Sequence, residues 1–277
     1  MDLRQLRLAL LGLVLPLVFA VAGDARATSV SPYIKLEGVP GEKNPPGVNG
    51  AIEASSVTIA HGSIGITKRV DSTSSQLASD ETAAHLFGNS ALYFYNDPNI
   101  APAPDASIPI HDALISSIQT RIEGSTTVED VSLTYASPTV SVFLALPGIS
   151  GPAAAPGYTG LIDVQSITMT ADGFSALKLV DSTSSALSLA EASAHLFASA
   201  SLLFYTNIAG ETQPDFSIDY HQLLISSIET SSQGDTTLEN VTFTAANGST
   251  VGHPAPEPAL LSSLLVLAVL PLLRRRP

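Results

Sequence analysis

Hydrophobic and polar residues alternate through much of the chain, as in Val57 and Ile59, Ile167 and Met169, and Val131, Leu133 and Tyr135. A period of two places such residues on one face of a strand, so these segments are expected to be half-buried β-strands. One segment in each half departs from that period. A run opening at Ser74 or Ser75 sets Leu77, Ala84 and Phe87 on one side, and Leu187, Ala194 and Phe197 repeat the spacing. This pattern predicts one helix per half, opened by a serine whose hydroxyl takes up a free backbone N–H.

The chain matches itself at one offset, 110 residues, without a gap from Tyr33/Phe143 to Ala136/Ala246. The paired blocks include Val70 to Ser75 with Val180 to Ser185, Ala84 to Phe87 with Ala194 to Phe197, and Leu114 to Ile118 with Leu224 to Ile228. Gly38, Gly41, Pro46, Gly47 and Gly50 also find Gly148, Gly151, Pro156, Gly157 and Gly160, the residues that turns require. Such a match implies a tandem duplication. Several short strands, one helix and Gly/Pro-rich turns per copy make the expected fold class mainly β: two small closed β-barrels in tandem, each with one flanking α-helix, over residues 28–138 and 139–248.

Both ends read as addresses. Residues 1–27 carry Arg4 and Arg7, an apolar run from Leu8 to Ala22, and small residues at Ala25 and Ala27, the pattern of a secretory signal peptide cut before Thr28. An uncleaved anchor is the alternative, but the run is shorter than the about 20 residues that span a bilayer. After a linker at 249–255, Pro256-Glu257-Pro258 precedes the apolar stretch Ala259 to Leu273 and then Arg274, Arg275 and Arg276. This tail, residues 256–277, resembles the PEP-CTERM sorting signal, which implies processing by exosortase; a plain tail anchor is the alternative. The precursor is therefore expected to carry an apolar helix at each terminus. It would be exported through the inner membrane, held briefly by its tail and delivered to the cell surface or beyond, with signal peptidase and exosortase as processing partners.

Composition narrows the function classes. The chain is 45% hydrophobic, 13% charged and has no cysteine, which excludes thiolate chemistry and cysteine-bound zinc. Between residues 28 and 255 six lysines and arginines face twenty-two acids. Such a surface repels phosphate backbones, so no nucleic-acid partner is expected.

Candidate chemistry is sparse. His85/His195, His111/His221 and Asp71/Asp181 recur in both copies and are residue types that ligate metals. The plainer reading sets His85 at a helix end, where a cation suits the dipole, and gives Asp71 to its own turn before Ser-Thr-Ser-Ser. His61 and His253 have no counterpart and are read as solvated. There is no Gly-x-Ser-x-Gly, no His-Glu-x-x-His, no phosphate loop and no calcium loop. No catalytic, cofactor or metal-binding residue is therefore assigned, and the expectation is a protein that is not an enzyme and needs no cofactor.

The order of signals in each copy resembles the Hcp family, the tube protein of the type VI secretion system. The resemblance is carried by Ile34-Lys35-Leu36-Glu37-Gly38-Val39-Pro40-Gly41-Glu42, by Gly50 and Ile52, and by Lys68-Arg69-Val70-Asp71-Ser72-Thr73-Ser74. His111 to Ile118 and Glu129 to Tyr135 continue it. It implies a barrel with one flanking helix, assembly into stacked six-membered rings and no catalytic residues. Three tandem chains would then make a pseudo-hexameric ring. The terminal addresses favour an exported structural protein of the surface or extracellular matrix; a type VI tube component or effector carrier is the alternative. A carbohydrate-binding module, with extracellular polysaccharide as partner, is a third reading. Its stacking platforms could only be Tyr93, Phe94, Tyr95, Phe204 and Tyr205.

Overall fold

The alternating segments are strands. In the first half these are β1 (Ser31–Lys35), β2 (Ile52–Glu53), β3 (Ser56–Ala60), β4 (Ser63–Arg69), β5 (Leu86–Tyr95), β6 (Ala106–Glu123) and β7 (Thr126–Thr134), with α1 (Ser74–Thr82) between β4 and β5. The second half holds β8 (Val140–Ala145), β9 (Ala153–Ala155), β10 (Tyr158–Val164), β11 (Ser166–Thr170), β12 (Gly173–Leu179), α2 (Ser184–Ala192), β13 (Leu196–Thr206), β14 (Phe216–Gln233) and β15 (Thr236–Ala245). β16 (Ser249–Gly252) lies within the stretch expected to be a linker and pairs with β14. This computed structural model describes residues 29–207, 211–246 and 248–252. The expected signal peptide, the Pro-Glu-Pro motif, the arginine stop and both terminal apolar helices lie outside the described residues.

Two separate closed barrels are not what forms. The strands make one hydrogen-bonded path, β2-β1-β5-β6-β7-β4-β3-β11-β12-β15-β14-β13-β8-β10-β9, which does not return on itself. The cause lies at Ala54 and Ser55, where the chain turns from β2 into β3. Ala54 donates its N–H to Pro32 O and Ser55 donates to Thr67 O, so the ladder divides between two neighbours and breaks off. The outer edge of β3 is then free to pair, and β11 takes it in antiparallel register.

A single hydrophobic core follows from the continuous sheet. It includes Val57, Ile59, Phe87, Phe94 and Ile108 from the first half and Ile167, Phe174, Phe197, Phe204 and Phe216 from the second. Phe94 lies 5.6 Å from Phe216 and 6.4 Å from Phe204, ring centre to ring centre, so the halves share buried surface. Two smaller clusters sit under the first loop of each half, around Tyr33, Val48, Ala51 and Tyr95 and around Phe143, Leu161, Leu203 and Tyr205. Gly41 and Gly151 admit those loops, since a Cβ on either would overlap the carbonyl of Ala51 or Leu161.

The helices are shorter than the sequence suggests. α1 ends at Thr82, so Ala84 and Phe87 are not on it; Ala84 takes φ 48° and Phe87 belongs to β5. Ala84 donates to Glu81 O and His85 to Asp80 O, the paired bonds that close a helix through a left-handed residue. Ala194 at φ 47° repeats this closure, with bonds from Ala194 to Glu191 O and from His195 to Ala190 O. The expected serine cap is also absent: the cap residue is Thr73, with no side-chain bond to the helix, because Ser74 is engaged elsewhere.

Candidate functional site

Lys68 sits near the end of β4, at the inward position that follows Ile64 and Ile66, and it is 0% exposed. Its Nζ donates to Glu129 Oε1 on β7 at 2.6 Å, to Asp71 Oδ1 at 2.8 Å and to the Arg69 carbonyl at 2.8 Å. An ammonium has three hydrogens, and three close acceptors take them. Ser74, the first residue of α1, donates its hydroxyl to the same Glu129 oxygen at 2.8 Å and accepts the Asp71 N–H at 3.1 Å. Asp71 Oδ1 further accepts the Thr73 N–H and hydroxyl, so it does bond its own turn.

The second half repeats the arrangement. Lys178 Nζ donates to Glu239 Oε1 at 2.6 Å, Asp181 Oδ1 at 2.9 Å and Leu179 O at 2.6 Å, with Ser184 bonded to Glu239 at 2.7 Å. Burial pushes the Asp71 and Asp181 carboxyls up, but the lysine and threonine hydrogen bonds outweigh it and hold both below the ordinary carboxylate range. Each lysine ammonium thus has all three hydrogens bonded, to two carboxylates and a backbone carbonyl. Each cluster therefore acts as a clamp joining two strands to a helix start, and sequence reasoning missed both lysines.

The other residues singled out stay apart from these clamps. His85 and His195 are exposed, their rings edge-on to Phe87 and Phe197 at 4.9 and 4.7 Å. His111 lies inside β6, exposed, with its N–H on Ser137 O. Among the described residues no three His, Asp or Glu side chains converge on one point that could hold a metal. The proposed stacking platforms are filled inward: Phe94, Tyr95, Phe204 and Tyr205 are buried, and Tyr95 and Tyr205 donate their hydroxyls to Pro46 O and Pro156 O, each at 2.7 Å. Burial raises the Tyr205 hydroxyl to about 12.

One surface feature distinguishes the halves. A groove of about 620 Å3 beside the first loop of the first half is lined by Glu42, Lys43, Glu53, Arg69 and Asp71, with Lys43 and Glu53 paired at 3.1 Å. At the corresponding positions the second half has Pro152, Ala153, Asp163, Leu179 and Asp181.

The helix between β4 and β5 and the long paired strands β6 and β7 lie within one region that has a recognised counterpart. Residues 53–142 match the Hcp family model. That family is described as "Type VI secretion system effector, Hcp", and the match runs from β2 into β8, less than half of the chain. It supports an Hcp-type domain there. No curated protein matches the chain. Among solved structures, Hcp1 from Salmonella typhimurium is 17% identical, covering 40% of this chain and 91% of its own, with TM-score 0.36. A type VI secretion system effector from Yersinia pestis is 13% identical over 38% of this chain and 82% of its own, TM-score 0.32. Hcp1 from E. coli EAEC 042 is 18% identical over 44% and 100%, TM-score 0.32.

Proposed function

We propose that the chain is a non-catalytic structural component of type VI secretion, acting through protein surfaces rather than through a reaction centre. The observation that carries this reading is the Hcp family match over residues 53–142. The saturated lysine clamps support it, because they commit the most deeply buried charges to holding strands together. The family match reverses the order that the terminal addresses set between the two leading readings.

The second reading is an exported surface or matrix protein processed by signal peptidase and exosortase. It is favoured by the Ala25-Arg26-Ala27 site and the Pro256-Glu257-Pro258 tail. Following the full chain by immunoblot in producing cells, with and without a working type VI apparatus, separates the two. Release that requires the apparatus supports the first. Release without it, with Thr28 as the mature N-terminus, selects the second.

A further inference from the structure

Thr58 and Thr168 are opposite one another in the β3–β11 ladder, with their hydroxyl oxygens 2.8 Å apart. They are also 110 residues apart, the offset at which the chain matches itself. Each threonine thus meets its own equivalent. The flanking pairs are reciprocal in the same sense: Val57 faces Met169 while Ile59 faces Ile167, and Ser56 faces Thr170 while Ala60 faces Ser166. Subtracting the offset exchanges the members of each pair.

Two further observations have the same symmetry. The strand path reads β2-β1-β5-β6-β7-β4-β3 up to the junction and then runs through the equivalent strands in reverse order, β11-β12-β15-β14-β13-β8-β10. In the core, Phe94 packs against Phe204, again its own equivalent. A residue meets its own equivalent only on or near a two-fold axis, which is the mark of an isologous contact. Successive seats of a ring meet through two different surfaces, a heterologous contact in which equivalents do not face each other.

We infer that the edge of β3 is a self-complementary association surface whose partner is a second copy of the same unit, and that this chain carries that partner covalently. A local two-fold axis passes between Thr58 and Thr168. The two halves form an internal dimer rather than two adjoining seats of a ring. The junction also answers the hazard of an open strand edge, since each half covers the other's unpaired N–H and C=O groups. The ring of three chains with halves as neighbouring seats, expected from the family resemblance, does not fit this geometry. The inference stands on pairing alone and holds whether or not the chain serves type VI secretion.

The natural chain contains no cysteine, so a disulfide can report the contact without background. Thr58→Cys and Thr168→Cys, combined in the full chain and oxidised, are expected to give one disulfide within each chain. The product would run faster on a non-reducing gel at unchanged mass, and reduction would restore its mobility. Disulfide-linked dimers, or free thiols in folded protein, would overturn the inference. Because a disulfide also needs a suitable side-chain angle, a charge series provides an independent measure. Thr58→Lys with Thr168→Lys should lower the melting temperature more than either single change, and Thr58→Lys with Thr168→Glu should recover most of the loss. Additive effects in both pairs would count against the contact.

Discussion

Lys68 Nζ and Glu129 Oε1 lie 2.6 Å apart with both side chains almost wholly out of water, and Lys178 and Glu239 repeat the distance. Removing one member of such a pair strands the other charge in a low-dielectric surrounding. Lys68→Met should therefore lower unfolding stability by about 3–5 kcal/mol, measured by urea denaturation. The double variant Lys68→Met with Glu129→Leu should recover much of that loss, because no uncompensated charge remains. A single-variant loss below about 1 kcal/mol would show that the clamp contributes little.

Asp71 and Asp181 give the fold an acid dependence of known sign. Their folded-state pKa values lie below the ordinary range, so the carboxylates stabilise the fold above the unfolded value, about 3.9 for an aspartate. That contribution is lost as pH falls through the depressed folded values. The melting temperature should fall steeply below about pH 4, and Asp71→Asn with Asp181→Asn should flatten the fall. An unchanged acid limb in the double variant would remove these residues as its cause.

At the alkaline end the sign is opposite. The Tyr205 hydroxyl is raised to about 12, so the unfolded chain ionises first and stability declines as pH rises from about 10 toward the folded value. Tyr205→Phe should weaken that decline while costing about 1 kcal/mol at neutral pH through the unpaired Pro156 carbonyl. Melting curves between neutral and strongly alkaline pH test both statements together.

Helix closure offers a stabilising change. Ala84 and Ala194 adopt a left-handed conformation that glycine enters without a steric penalty. Ala84→Gly and Ala194→Gly should each raise stability by about 0.5–1 kcal/mol, whereas Ala84→Val should lower it. Thermal unfolding of the three variants is the measurement, and a stabilising valine would refute the conformational argument.

Much of the strand content was legible because alternation reports burial, and Val57, Ile59, Val131 and Leu133 all point into the core. Lys68 was missed because a lysine in an alternating run reads as surface. Its signal lay in the comparison of the halves: of Lys35, Lys43, Lys68, Arg69 and Arg121, only Lys68 has a cation 110 residues later. Retained acids behave likewise. Glu81 and Glu191 accept the N–H of Ile118 and Ile228, each at 3.1 Å, just beyond the bulges in β6 and β14. Asp105 and Asp215 accept the N–H of Asn96 and Thr206. The pairing of β3 with β11 left no such mark, since the alternation of Val57 and Ile59 is the same whichever strand lies alongside. The helix ends were misjudged because Phe87 belongs to two periodicities at once, and only the left-handed Ala84 separates them.

β16 brings the two ends of the described chain together. Val30 donates its N–H to Ser249 Oγ at 3.1 Å, and Asn96 both donates to the Val251 carbonyl and accepts the Val251 N–H. Entry and exit thus share one corner of the molecule. Joining them directly and opening the chain at a surface loop should leave every ladder intact. Anything that grips the protein through either tail would hold it by that one corner, like a flag on a pole.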